Sequence, residues 1–563
     1  MRAKLTMFWL LVALLSGSVL AVSDIHSEHT GHVMPMQNTT VNNTIVAEQV
    51  VNSGHEEHTG HVMLAQEPVI TGEQADSGGH DHSSMVQEKS PIVTGITFVL
   101  ASILLIGFIF FFRGLAGKDL LEFSIINKLM KSRAYPLMLQ IPTFIFFIFI
   151  FYFFFFGSLS YSRNPGSILA WTLWWPLVPL TFILFGRIWC VICPLPIIGD
   201  FVQKFIHPAR RPGRFLVKYG IWITDGIFIA ITLFDRLYGM VDTPWLSGSV
   251  FVLILFGVVI ISATYERRTF CKHICFLGGV SGNYSMLSGI SIETKNPEVC
   301  ATCKAKACFF GSGKAPGCPY FSTMPAKAGM RNCNLCASCI KNCPNDNIAL
   351  KARSIASELW SHAKVSFSES FFAKLMVGIV IIQNLGMLAV WSDLQRVVMG
   401  WGFGEKVAIT ILYFAAIAIP LLLMSITSFI SSRLQSVKGS TASNFAAFGY
   451  AFIPIDVAGH LAHNLFHLLA EGKSIIGAFA GLVTGKVAFE GALASSPVIS
   501  GLQFALIGVG GIGTLYVAYR IALVKEGSVL GAIKIVLPHT LLLLVIIGIN
   551  IFLFSTPMAH RGG

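Results

Sequence analysis

Residues 300–344 read CATCKAKACFFGSGKAPGCPYFSTMPAKAGMRNCNLCASCIKNCP. The second half of this stretch places Cys333, Cys336, Cys339 and Cys343-Pro344 at the spacing C-x2-C-x2-C-x3-C-P. Three thiolates so spaced wrap a tight turn around one Fe4S4 cube, and the fourth reaches a different cube. The first half is looser: Cys300, Cys303 and Cys308, then Cys318-Pro319 beyond an insertion with three glycines. A structural zinc site would instead need one C-x2-C pair answering another across a loop. Few large apolar residues lie between the cysteines, so bound clusters are expected to hold this segment's fold as well as carry electrons. A disulfide framework is not expected on the reducing side of a membrane.

The run from Cys333 to Pro344 is similar to that of bacterial two-cluster ferredoxins. The resemblance implies a crossed pairing. One [4Fe-4S] cluster takes Cys300, Cys303, Cys308 and Cys343, and the other takes Cys318, Cys333, Cys336 and Cys339.

Outward from this block the chain is apolar. Of its 563 residues 54% are hydrophobic and only 12% charged, which excludes an ordinary soluble protein and points to membrane lipid as solvent. The net charge of +12 collects between apolar segments rather than in a nucleic-acid-binding patch, and no nucleic-acid partner is expected. Ten segments approach the ~20 residues needed to cross a bilayer. They run roughly over 92–112, 135–157, 167–188, 217–234, 246–264, 371–392, 406–430, 444–469, 498–523 and 530–554. Basic residues concentrate in 113–133, 204–218, around Arg267 and Arg268, and in 295–353. The positive-inside rule then puts these loops and the cysteine block in the cytoplasm, in a multi-pass cell-membrane protein. Residues 471–497 are amphipathic and are expected to lie on the outer surface.

The fold expected is a polytopic α-helical membrane protein of about ten transmembrane helices, with a small cytoplasmic two-cluster ferredoxin-like α+β domain. Its parts are a signal peptide (1–23), an extracytoplasmic tail (24–91), a five-helix membrane domain (92–290), the cluster domain (291–355) and a second five-helix membrane domain (356–563). The signal peptide is read from Arg2, Lys4 and the apolar run that follows. The tail, with ten acidic residues and one basic, lacks apolar periodicity and is expected to be disordered. It repeats H-x2-H-x-G-H-x-M twice: His26, His29, His32, Met34, then His55, His58, His61, Met63. Imidazole with thioether suits copper, and imidazole with carboxylate suits zinc.

Four further cysteines close two apolar segments. GRIWCVICP carries Cys190 and Cys193, and RRTFCKHICF carries Cys271 and Cys275. Both run basic residue, aromatic, Cys, short gap, Cys, which suggests two related helix pairs. Four thiolates at one depth could hold an iron or iron–sulfur centre, or cycle between dithiol and disulfide. Two such pairs followed by a two-cluster block resemble the membrane polyferredoxins of the NosR, NapH and FixG type, over about 134–350. The resemblance implies service to nitrous oxide reduction, periplasmic nitrate reduction or oxidase assembly. Phe276 stands where that family has proline, and the outer flavin domain of NosR-type proteins has no counterpart here.

The eighth segment reads FGYAFIPIDVAGHLAHNLFHLL. Steps of four, three and four put Asp456, His460, His463 and His467 on one helical face. Ionisable groups inside a span are costly and usually face a bundle interior. With His539 of the tenth segment they could hold haem b, copper or zinc, or relay protons from a quinol. The expected function is iron–sulfur electron transfer between a quinol or cytoplasmic donor and an extracytoplasmic metal-containing reductase, or its maturation, with quinol oxidoreductase activity left open. The alternative is copper handling for an extracytoplasmic copper enzyme.

Overall fold

The computed structural model describes residues 90–556 except 209, 325–328, 362–364, 437–438, 486 and 488–490. The expected signal peptide, and with it the histidine–methionine repeats from His26 to Met63, lie outside the described residues. Ten helices there are long and apolar enough to cross a membrane. They are α1 (Pro91–Leu115), α2 (Leu137–Phe156), α3 (Pro165–Phe185), α4 (Arg214–Tyr238), α5 (Pro244–Thr264), α6 (Phe367–Leu385), α7 (Glu405–Leu434), α8 (Thr441–Ala470), α9 (Ser496–Glu526) and α10 (Val529–Ser555). The sixth ends at Leu385 rather than near residue 392, because Leu388 adopts extended backbone and a separate helix starts at Ala389.

α8 is the central helix. Of its most apolar window 94% is buried, against 6% for the peripheral α1. It packs on α3, α6 and α9, and α9 in turn packs on α1 and α10. A helix carrying four polar groups on one face is stable in a bilayer only if neighbouring helices cover that face, and these do. α3 contains a π-helical stretch, Ile168–Trp174, just before Pro176. The wider turn fans out Trp171, Trp174 and Trp175, and π stretches of this kind often mark functional positions.

Between α5 and α6 the cysteine block is closed by two antiparallel strands, β1 (Ile290–Thr294) and β4 (Ile348–Ala352), with Ile292 opposite Leu350. A two-residue hairpin, β2 (Gly311–Ser312) and β3 (Ala315–Pro316), fills the insertion between Cys308 and Cys318. The basic loops meet this block directly. Gly117 N–H donates to Ala352 O at 2.8 Å, the Asp119 carboxylate accepts from Leu350 N–H at 3.0 Å, and Arg267 donates to Cys318 O at 2.9 Å. Three loops expected on one side of the bilayer are thus at one end of the bundle. The 471–497 segment forms a helix at Gly472–Thr484, whose Ile475 and Ala478 pack beside Leu169 and Trp171.

Candidate metal centres

The eight cysteines of the block sort into two groups of four. Cys300, Cys303, Cys308 and Cys343 line one cavity of about 250 Å³. Cys318, Cys333, Cys336 and Cys339 line a second, narrower one. The crossing comes from the fold: pairing of β1 with β4 returns Cys343 beside Cys300, and the hairpin returns Cys318 toward the run from Cys333. Leu335 and Ala337 adopt left-handed backbone, φ +59° each, which non-glycine residues rarely do. That conformation turns the loop so that the thiols of Cys333, Cys336 and Cys339 converge. Asn347 donates from its backbone N–H to Cys343 Sγ and from its side chain to Cys300 Sγ, both at 3.3 Å. Leu335 N–H approaches Cys333 Sγ at 3.5 Å. Donors to sulfur suit thiolates that ligate a cluster, and they tune its potential. None of the twelve cysteines is in a disulfide.

Cys190, Cys193, Cys271 and Cys275 also meet. Cys193 and Cys275 occupy the same local position, each capping a following helix, Pro194–Ile206 and Phe276–Tyr284. Phe276 therefore replaces proline without changing the turn. Burial pushes the Cys193 thiol up; Leu195 N–H pulls it back, while the charges of Cys275 and Cys190 raise it further. Cys275 is pushed up to about 11, first by burial and then by Cys190. Burial also holds Cys271 well above its ordinary value, with Cys275, Cys193 and Cys190 adding to it. Thiols buried in an apolar setting stay protonated unless a nearby cation supplies positive charge. Thiol donors suit iron or zinc, but the four side chains are not drawn together tightly enough to hold a single metal ion.

Tyr320 joins the two regions. It lines the cavity of Cys318 and Cys333, and the Arg187 guanidinium lies 4.8 Å above its ring. Arg187 donates to Arg331 O at 2.6 Å, Arg268 to Cys190 O at 3.1 Å, and Lys272 to Tyr320 O at 2.8 Å. Arg187 and Arg268 each stand three residues before the first cysteine of a pair, a regularity visible in the sequence. The role of Tyr320 is not visible there.

On the bundle side, Cys193 and Cys275 sit in the wall of an apolar cavity of about 320 Å³, with Trp171, Trp174, Trp175 and Phe251. A second cavity of about 280 Å³ shares Trp171, Trp175, Ile231, Met240 and Phe276 with it. The second is more polar, lined also by Asp235, Arg236, His463 and His467.

Asp456, His460, His463 and His467 are all buried. Each histidine has Nδ1 held by a side chain: His460 by Tyr284 Oη at 3.1 Å, His463 by Asn384 at 2.9 Å and His467 by Glu471 at 2.9 Å. His460 Nε2 is buried without a hydrogen-bond partner, and the Asp456 carboxylate lies beside the Tyr284 hydroxyl. An imidazole fixed through Nδ1 can offer Nε2 to a metal or pass a proton. His539 has other neighbours, stacking on Phe448 at 4.2 Å. Among the described residues no three His, Cys, Asp or Glu side chains are grouped for a single metal ion. Sequence reasoning missed Lys374, fully buried in α6 and donating to Phe445 O at 3.0 Å. A lysine inside an apolar span was the available signal.

A family model described as a 4Fe-4S binding domain matches residues 167–212 and again 249–292. Each match contains one of the two helix-end cysteine pairs, and neither reaches the block of eight. Comparison with curated proteins finds no match, and neither does comparison with solved structures. The matches support an iron–sulfur protein with 4Fe-4S cluster binding, and the ten apolar helices are consistent with a multi-pass membrane protein.

Proposed function

We propose that this protein passes electrons across the cell membrane between a quinol or cytoplasmic donor and an extracytoplasmic metal-containing reductase, or the maturation of one, as membrane polyferredoxins of the NosR, NapH and FixG type do. The observation that carries this reading is the succession of thiol sets. The set of Cys300 adjoins the set of Cys318, which shares Tyr320 and Arg187 with the helix-end pairs, whose Cys193 and Cys275 wall the apolar cavity.

The two sets of four in the block would each hold a [4Fe-4S] cluster, and the helix-end set a further iron or iron–sulfur centre. A bound cluster supplies reversible one-electron storage. The chain supplies insulation, N–H donors to sulfur, and the cationic Arg187 and Arg268 beside buried thiolates. The paired cavities suit a quinol, an apolar-tailed ring with polar edges. Oxidation of one quinol to quinone releases two electrons, taken toward Cys193 and Cys275, and two protons. His463, His467 and Glu471 are placed to take the protons. The basic loops put the cysteine block in the cytoplasm.

The test is to purify the protein, assay iron, sulfide and zinc, and record EPR spectra after adding the short-chain quinol decylubiquinol. About eight iron and eight sulfide per chain from the block, with more iron at the helix-end pairs, are expected. Reduction by the quinol should disappear in Cys193→Ser. Stoichiometric zinc without a cluster signal would overturn the assignment.

A further inference from the structure

The rim of the Cys300 set is unlike the rest of the block. Cys303 and Cys308 are flanked by exposed Lys304, Lys306 and Lys314, and Lys306 lines the cavity itself. Phe310 protrudes beside them, 64% exposed. Its neighbour Phe309 is covered by two more cations, Arg267 at 4.8 Å and Arg211 at 5.8 Å from the ring. Nearby acids are few: Glu298 is exposed, while Asp346 is occupied by Lys131 at 2.9 Å and Lys295 at 3.6 Å. At the Cys318 set, Tyr320 and Cys333 are buried, and the cations described beside it, Arg187, Arg267 and Lys272, are engaged with Tyr320 or Cys318.

We infer that this rim is the docking surface of a soluble, acidic one-electron carrier protein, which exchanges electrons through the Cys300, Cys303, Cys308 and Cys343 set. The inference rests on the reading of that set as a cluster site. Lysines around an exposed redox edge steer an acidic partner and suppress a basic one. The exposed Phe310 ring gives the encounter an apolar centre within a charged margin, as transient interfaces have. In the transfer the reduced carrier loses one electron, the protein gains one, and no bond or proton changes hands.

The probe is an acidic plant-type [2Fe-2S] ferredoxin, with a basic c-type cytochrome as control, against the purified holoprotein in neutral detergent. Binding is measured by calorimetry and electron exchange by stopped flow, over a salt series. Ferredoxin should bind and exchange, weakening steeply with salt, and the cytochrome should not. The double variant Lys304→Gln, Lys314→Gln, which leaves the cavity lining intact, should slow association several-fold at low salt and flatten the salt dependence. Its cluster EPR and its reduction by decylubiquinol should be unchanged. Equal ferredoxin binding by wild type and variant overturns the inference, as does preference for the cytochrome. Loss of binding to anionic phospholipid vesicles alone, with ferredoxin exchange intact, makes the patch a lipid contact and also overturns it. Absence of cluster EPR in the wild type points instead to failure of the underlying functional reading.

Discussion

The twelve cysteines occupy two regions built on opposite principles. The eight of the block sit in loops and very short helices, framed among the described residues by two small sheets and left-handed turns. The other four follow the ends of α3 and α5, on or beside the short helices Trp189–Ile192 and Thr269–His273, and Cys193, Cys271 and Cys275 pack against Leu195, Val258 and Phe270. Where loops carry the ligands, the bound group has to supply much of the folding energy. Where the ligands follow packed helices, the helices bury apolar surface of their own, and the bound group is expected to add less to the folding energy. The difference teaches that one family of chemistry can be written as a spacing code or as a meeting of distant helices.

The comparison breaks first at Cys336→Ser. If loops depend on their ligand, this change should remove about four of eight block irons and unfold residues 290–352, while the bundle persists. Iron assay with limited proteolysis reads both. Iron removal by an oxidant and chelator should do the same on a larger scale, and circular dichroism retaining its helical amplitude would show that the bundle stands alone. An intact protease-resistant block without iron would erase the distinction.

Cys275→Ser should act in the reverse way. Iron beyond that of the block should be lost, the block's EPR signal kept, and stability changed by about 1 kcal/mol. A collapse of the bundle in thermal melts would show that the helix-end site is also ligand-dependent. The join between the regions is sharpened by Tyr135→Phe, which removes the hydroxyl that donates to Leu335 O at 2.7 Å. It leaves a buried acceptor unpaired, worth about 1–3 kcal/mol, and should lower the temperature at which the block becomes protease-sensitive. The smallest effect expected is that of Asp346. Its hydrogen bond from Lys131, then the charges of Lys131 and Lys295, hold its carboxyl below the usual 3.8. A carboxylate lowered in the folded state stabilises above its unfolded pKa and loses that contribution as pH falls through the folded one. Asp346→Asn should therefore flatten the acid limb of block stability slightly below about pH 4. An unchanged acid limb would show that these exposed pairs add nothing.

The ten helices were legible because crossing a bilayer needs length and apolarity, which composition shows directly. The run from Cys333 to Cys343 was legible because loop ligands keep their spacing in sequence, whereas the assignment of the eight cysteines to two sets rested on the resemblance to two-cluster ferredoxins. Meeting of Cys190 with Cys271 was only hinted at by the repeated basic–aromatic–Cys pattern, since contact between helix ends is settled by packing. Tyr320, Tyr284 and Asn384 carried no signal at all; each acquires its place from a partner at least 79 positions away. The histidine face of α8 was read from helical periodicity. That His463 and His467 open on a cavity while His539 stacks on Phe448 depends on side-chain neighbours that periodicity does not encode.

The crossing of the two groups in the block imposes an order on biosynthesis. Cys343 completes the cavity that Cys300 begins, so that group of four does not exist until the ribosome has made residue 343. By then five of the ten long helices have been synthesised and five have not. On the reading of the block as a cluster site, iron and sulfide reach this group of four only after five long helices have been made, in the interval between the two halves of the chain or after both are complete.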